Sequence, residues 1–444
     1  MPVTLHKRFV ILTLFKTSIL SAIATCISIC ARFVVNKIIS IYVGPAGLAL
    51  IGQLQNFVAL CLTFANGSIN TGVTKYLAEK SDDEAGKDQT IIGNALWLNI
   101  FCAVATGMIV LFGAEHWADT LLSNTDYAHI FKVFSASLLF FSLNTLFMAV
   151  LNGKKRIADY ITINIVGSLI GLLMSTMLIM AYGILGGLYA LVLNQSAIFF
   201  VTFGVVIRRK LWPFMIGGMR HLPQKETLKK LLSYAVMTFT AAAISPLVNI
   251  LIRTQMINHV GAVETGYWQG IWYISTMYLT LITTSLKTYY LPRLSELDTK
   301  QHVREEILRG YKILMPLVVA SAVLIYLFRD LIILVAFTRD FQAMRELFLW
   351  QFVGDVLKIA GWLLGMVLAA KAMIMRSIIA NTVFGFVFLI LALLFIDLYG
   401  AVGATYAYAL NYALFLPFIY WLAKPAFSEA KSKRGQSYGL DKPE

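Results

Sequence analysis

Two short stretches, 217 residues apart, constrain this chain more than any other feature. Gly183–Gln195 reads GILGGLYALVLNQ and Gly400–Tyr412 reads GAVGATYAYALNY. They are identical at Gly183/Gly400, Gly186/Gly403, Tyr189/Tyr406, Ala190/Ala407, Leu193/Leu410 and Asn194/Asn411. The same offset carries Val43-Gly44 onto Val260-Gly261. An offset of 214 carries Tyr76-Leu77 onto Tyr290-Leu291 and Asp126-Tyr127 onto Asp340-Phe341. A period kept through otherwise unrelated residues marks a duplicated unit, and duplicated halves of this kind are a transporter signature. Between the halves lies Arg208–Lys230, the most polar interior stretch, with two prolines and seven Lys or Arg.

Composition says what has been duplicated. The chain is 59% hydrophobic and 14% charged, against roughly 25% charged in a soluble domain, and its mean hydropathy is +0.74. Such a chain is an integral membrane protein, which must satisfy its backbone inside helices. Twelve apolar segments fall near 9–36, 46–74, 89–113, 127–151, 157–182, 184–207, 229–257, 265–291, 307–328, 345–370, 373–397 and 401–423. Each is long enough for the ~20 residues a helical crossing needs. The first is too long for a signal peptide and carries Arg32 where a cleavage region should be neutral. Cys26, Cys30, Cys61 and Cys102 all sit in apolar runs and read as inert packing residues, without a disulfide framework.

The net charge of +14 would suit nucleic acid, but the cations are distributed by loop. With the N-terminus inside, the inner segments 1–10, 80–87, 154–156, 208–230, 292–312, 371–376 and 424–444 hold 26 Lys and Arg. The outer ones hold five: Lys37, Arg253, Arg329, Arg339 and Arg345. That bias predicts cytoplasmic termini and removes nucleic acid as a partner. Six helices per half return the chain to the same side, so the repeat is parallel. The expected fold is all-α and polytopic, with 12 transmembrane helices. A first lobe covers 1–207, a basic cytoplasmic linker 208–230, a second lobe 231–423 and a basic cytoplasmic tail 424–444. Asn124-Thr125-Asp126 and Thr338-Arg339-Asp340 are expected to open the fourth and tenth segments.

Polar residues run along some of these apolar helices. In the first segment Ser18, Ser21, Thr25, Ser28, Arg32 and Asn36 share one helical face. The seventh repeats it 217 residues on with Thr238, Ser245, Asn249 and Arg253, so that arginine and asparagine exchange places. Gln53, Asn56, Thr63, Asn70 and Thr74 line the second segment. Tyr273, Thr276, Thr280, Thr283 and Lys287 line the eighth. Interhelical glue by Ser and Thr accounts for one such stripe. Four stripes, paired by the repeat, favour a polar cavity between the halves. Its candidate polar residues are Ser28, Asn56, Asn70, Ser245, Asn249 and Thr280.

Charges inside the spans set the sign of that cavity. Lys16, Arg32, Lys75, Lys132, Lys287 and Lys358 stand against one acid, Asp355. Lys75, Lys132 and Lys287 lie near helix ends and can also snorkel to headgroups. Asp355 and Lys358 lie 10 and 13 residues past Arg345, roughly 15–20 Å along a helix, where a charge must face protein or water. At i and i+3 they are placed to pair, as a structural ion pair or as a coupling site centred on Asp355. With Arg253, these cations suit a phosphate or diphosphate rather than a cationic drug. The six histidines fall in loops or at helix ends with no metal-ligand spacing. No phosphate-cradling glycine loop or paired-acid site is present, so neither catalytic residues nor cofactor are expected.

Five runs carry a family resemblance: Val43–Phe57 (VGPAGLALIGQLQNF), Gly72–Glu79 (GVTKYLAE), Ser123–Tyr127 (SNTDY), Tyr290–Ser295 (YLPRLS) and, most specific, Ala343–Lys358 (AMRELFLWQFVGDVLK). They resemble the Wzx polysaccharide flippases of the MOP superfamily, over residues 10–425. The resemblance implies two six-helix lobes in a V around a cationic cavity. It also implies transport of an undecaprenyl-diphosphate-linked oligosaccharide between leaflets of the bacterial inner membrane. Implied partners are that polyprenyl-diphosphate-linked glycan, the lipid bilayer, and polymerase and chain-length proteins of the same pathway. The basic tail after Lys424 departs from the family. Two other readings are an organic-cation exporter of the same superfamily, which needs an acidic cavity, and a non-transporting scaffold of a glycan assembly complex.

Overall fold

A computed structural model describes residues 2–79, 84–219, 224–297, 299–371 and 373–427. No strand occurs among them. The first half runs α1 (Pro2–Tyr42), α2 (Gly44–Ala65), α3 (Asn70–Ala78), α4 (Glu84–Phe112), α5 (Ala114–Leu122), α6 (Ala128–Gly153) and α7 (Ile157–Arg208). A short α8 (Leu211–Met219) leads to α9 (Lys225–Ser285), α10 (Leu291–Glu296), α11 (Lys300–Leu327), α12 (Arg329–Ala336), α13 (Phe348–Ala370) and α14 (Ile374–Ala423). Nine of the described helical stretches are long and apolar enough to cross a membrane. Helices apolar all round, as these largely are, belong in lipid.

Glycines fold the longest three back on themselves. α7 breaks at Gly183 (φ 56°, ψ −128°), α9 at Gly261 (φ 87°, ψ 167°) and α14 at Gly400 (φ 63°, ψ −143°). Only a residue without a Cβ adopts these angles freely. The legs pack against each other: Arg253 bonds Gln269 across the α9 turn, and the rings of Phe384 and Phe415 lie 5.1 Å apart across α14. Gly44 (φ 74°) makes the corresponding turn between α1 and α2, with Pro45 opening the new helix. The four turns gather at one end of the bundle. A methyl added at Gly47 would stand 3.3 Å from Ile184, and one at Gly266 only 2.0 Å from the carbonyl of Pro45. Gly400 lies against Val260.

The duplication read from sequence is thus a duplication of turns, and it extends to irregularities. α2 stops at Asn66, and Gly67 and Ser68 take positive φ before α3. In the second half the irregularity falls a few residues further along, where Leu286–Tyr290 is π-helical. Short α5 and α12 are each followed by a 3₁₀ turn, Thr125–Tyr127 and Arg339–Leu347. The Asn124 side chain caps the first, accepting from Asp126 N at 2.8 Å. Thr338 does not cap the second; its hydroxyl bonds Asp340 at 3.3 Å.

The inter-half stretch departs from a plain basic linker. Leu211–Met219 is an apolar helix packed on the first half: the Trp212 ring meets Phe203 at 4.8 Å, Met215 is buried, and Gly218 lies against Gln89 and Gly93. Most of the tail, from residue 428, lies outside the described residues. Cys26 and Cys30 are exposed, so only Cys61 is buried as the apolar runs suggested. The largest buried cluster joins the halves, with Leu48, Ile51 and Leu54 of α2 and Ile252, Trp268 and Ile271 of α9. In lipid, such a seam holds by close packing more than by exclusion of water.

Candidate functional site

A cavity of about 1320 Å³ lies between the halves, walled by α1, α2–α3, α6, α7 and the two legs of α9. Its floor is the turn-bearing end, where the halves are tied together. Arg253, 3% exposed, donates to the Gly52 carbonyl at 3.1 Å and to Gln269, and its guanidinium lies 5.3 Å from the Trp268 ring centre. Gln53 donates to Thr254 Oγ1 at 2.8 Å. Lys37 of α1 donates to Leu334 O at 2.8 Å and to Phe337 O, satisfying the last carbonyls of α12. Ser40 reaches Thr338 at 3.4 Å. Glycine makes this closeness possible, since a Cβ on Gly52 would overlap Gln269 at 2.5 Å.

The structure gathers most of the expected site residues. Arg32, Lys75 and Arg253 line the cavity, as do Ser28, Asn56, Asn70, Asn249 and Thr280, and no carboxylate lines it among the described residues. Arg32 is exposed to it and makes no ion pair or hydrogen bond among the described residues; Lys75 lies 3.9 Å from Glu79. Arg32 and Arg253, the one stripe arginine of each half, are therefore not equivalent in place: one is open, the other locked into the seam. Ser245 is exposed and off the cavity, contributing its carbonyl to Asn249 at 2.9 Å. Lys132 is exposed in the first turns of α6, away from the cavity. Lys16 and Lys287 stand on α1 and in the π-helical stretch, and their side chains lie outside the described residues.

Asp355 and Lys358 do not pair directly. Asp355 is fully buried and accepts three hydroxyls: Ser275 at 2.7 Å, Tyr278 at 2.8 Å and Tyr408 at 2.8 Å. Lys358 lies instead in a cage of rings. Its ammonium lies 5.5 Å from Trp272, 5.8 Å from Trp362, and 5.6 Å from both Tyr408 and Tyr412. Each face is a cation–π partner. It donates to Tyr408 Oη at 3.3 Å. The i,i+3 spacing brought the two onto one side of α13, but the hydroxyls of α9 and α14 intervene. Neither lines the cavity, although Trp272 does.

Much of the wall belongs to helices whose polar faces went unread. Asn164, Ser168 and Ser175 of α7 line it at spacings of 4 and 7, and Asn144, Asn152 and Asn194 line it too. Those spacings are the same helical signal that exposed the first and second segments.

Fold and cavity together define a two-halved, all-helical membrane transporter. The chain belongs to the family described as polysaccharide biosynthesis protein, which matches residues 14–298, more than half its length. The lipid III flippase of Escherichia coli (strain K12) is 29% identical over 410 residues, covering 91% of this chain and 96% of that protein. An inward-facing multidrug resistance MATE family transporter of the MOP superfamily aligns with a TM-score of 0.76 at 14% identity, covering 92% of this chain and 98% of that one. The lipid II flippase MurJ, in an inward closed conformation, gives 0.72 at 16% identity, with 93% and 89% covered. These likenesses show that the chain shares the fold of those transporters.

Proposed function

We propose that this protein is a flippase that carries a polyprenyl-diphosphate-linked oligosaccharide from the cytoplasmic to the periplasmic leaflet of the inner membrane. The observation that carries this reading is a large cavity lined by Arg32, Lys75 and Arg253 and, among the described residues, by no acid. An anion is stabilised there and an organic cation is not. The near full-length likeness to a lipid III flippase supports the same substrate class. In this reading both legs of each glycine hairpin cross the bilayer, giving twelve crossings, with both termini cytoplasmic and the four turns outside. Residues 1–207 and 231–423 move as two bodies in alternating access, with 208–230 between them. The remaining candidates, Lys16, Lys132, Lys287 and Lys358, act as further cations along the route, and Asp355 couples transport to an ion gradient. Polymerase and chain-length proteins receive the glycan.

Binding to the purified full-length protein tests the substrate class. Lipid III is expected to bind more tightly than a cationic dye such as ethidium. Tighter binding of the dye would turn the assignment to an organic-cation exporter.

A further inference from the structure

The neutral part of the cavity wall has a bias of its own. Asn56, Asn164 and Asn249 each commit an N–H to the carbonyl four residues back: Gly52 at 3.1 Å, Tyr160 at 3.0 Å and Ser245 at 2.9 Å. Because a carbonyl can only accept, these bonds fix which end of each amide is nitrogen. Thr280 commits its single O–H to Thr276 O at 2.6 Å, and Ser168 commits its own to Asn164 O at 2.8 Å. The Ser28–Ser168 contact of 2.8 Å must then use the hydrogen of Ser28. All six residues line the cavity, and what they still offer it is weighted toward oxygen lone pairs.

Lone pairs discriminate. A phosphate oxygen is also an acceptor and finds few donors on such a wall, the second N–H of Asn56 and Asn164 among them, whereas a sugar hydroxyl can donate to every oxygen of it. Arg32 has the opposite character. It is a donor only, exposed in the same cavity, and it stands four residues from Ser28 on one face of α1. Trp272 and Tyr273 of α9 bring aromatic surface to the same space.

We propose that the cavity is divided by hydrogen-bond polarity: Arg32 holds the diphosphate, and the oxygens of Asn56, Asn164, Asn249, Ser28, Ser168 and Thr280 form a separate subsite for glycan hydroxyls. The proposal rests on the flippase reading and adds where, and by which atoms, the sugar is told from its carrier.

Two ligands separate the subsites: lipid III and bare undecaprenyl diphosphate, each titrated onto the purified full-length protein. Asn164→Leu and Thr280→Val each remove acceptor oxygens with little change in volume. Each should weaken lipid III binding roughly 3- to 10-fold and leave bare undecaprenyl diphosphate unchanged. Arg32→Gln should weaken both ligands alike. If the two wall variants weaken both ligands equally, or neither, the divided cavity is wrong. Should Asn164→Leu yield no folded protein, Thr280→Val alone decides. A wild-type protein that binds neither lipid overturns the flippase reading itself, which is a distinct result.

Discussion

The hydroxyl of Tyr408 donates to Asp355 at 2.8 Å and accepts from Lys358 at 3.3 Å, so that one phenol stands between the buried acid and the nearest cation. If Asp355 is the coupling group, its charge state is communicated to Lys358 through this hydroxyl. Tyr408→Phe should then fold and bind lipid III as the wild type does, yet lose the pH dependence of transport in proteoliposomes. Asp355→Asn should behave the same way. A purely structural role gives another pattern: Tyr408→Phe lowers stability by about 1.5–3 kcal/mol, the worth of a hydrogen bond to a charged group, and leaves the pH profile in place. Recovery of stability and transport in an Asp355→Asn, Lys358→Met double variant would also end the coupling proposal.

Arg253 and Arg32 should fail differently. Arg253 ties α9 to Gly52 of α2 and to Gln269, so Arg253→Gln removes a tie across the seam. The expected result is a shift toward the state open at the turn-bearing end, read as faster modification of a cysteine placed at Asn36 by an impermeant reagent added outside. Arg32→Gln should leave that rate unchanged and weaken lipid binding. Equal rates in the two variants would contradict the separation of roles.

Ser40 and Thr338 offer a lock. Their side-chain oxygens lie 3.4 Å apart, one on each half, within reach of a disulfide once both are cysteine. In a background with the four native cysteines replaced, Ser40→Cys with Thr338→Cys should crosslink, halt glycan export and release it on reduction. Export that continues with crosslinking complete would rule out separation of the halves at this end.

Glycine substitutions should sort by place. A methyl at Gly266 would stand 2.0 Å from the Pro45 carbonyl, while one at Gly204 meets nothing within 4 Å. Gly266→Ala is expected to prop the seam open and depress export with the protein still present in the membrane. Gly204→Ala should be neutral or stabilise by up to about 1 kcal/mol, since it only restricts the unfolded chain. Gly183→Ala has space too, but its φ of 56° charges about 1–3 kcal/mol for backbone strain. Thermal unfolding in detergent ranks all three.

Much of this was legible in the chain. The pairing of Gly183 with Gly400 and of Gly44 with Gly261 marked the duplication, and all four fall between the apolar segments; that each turns on a positive φ is seen only in the fold. The polar stripes around Ser28 and Asn56 marked the wall, because polarity in lipid must face something wet. What remained hidden depends on neighbours distant in sequence. Nothing in the spacing of Asp355 and Lys358 announces that Ser275, Tyr278 and Tyr408 will occupy the carboxylate first. Nor does the exchange of arginine and asparagine between Arg32 and Arg253 reveal that one faces open space and the other a partner helix.

The four glycine turns also fix where the molecule can bend. A turn with no spare residues holds its two legs in register like the arms of a folded ruler, so neither arm can slide along the other. Each hairpin is a stiff lever. Flexure is then expected where a lever is interrupted: at Asn66–Ile69 in one half, at Leu286–Tyr290 in the other, and at Pro246 and Pro417 within the legs of α9 and α14. Asn66–Ile69 and Leu286–Tyr290 lie toward the opposite end from the turns, so a small angular change at either would yield the widest swing at the cavity mouth.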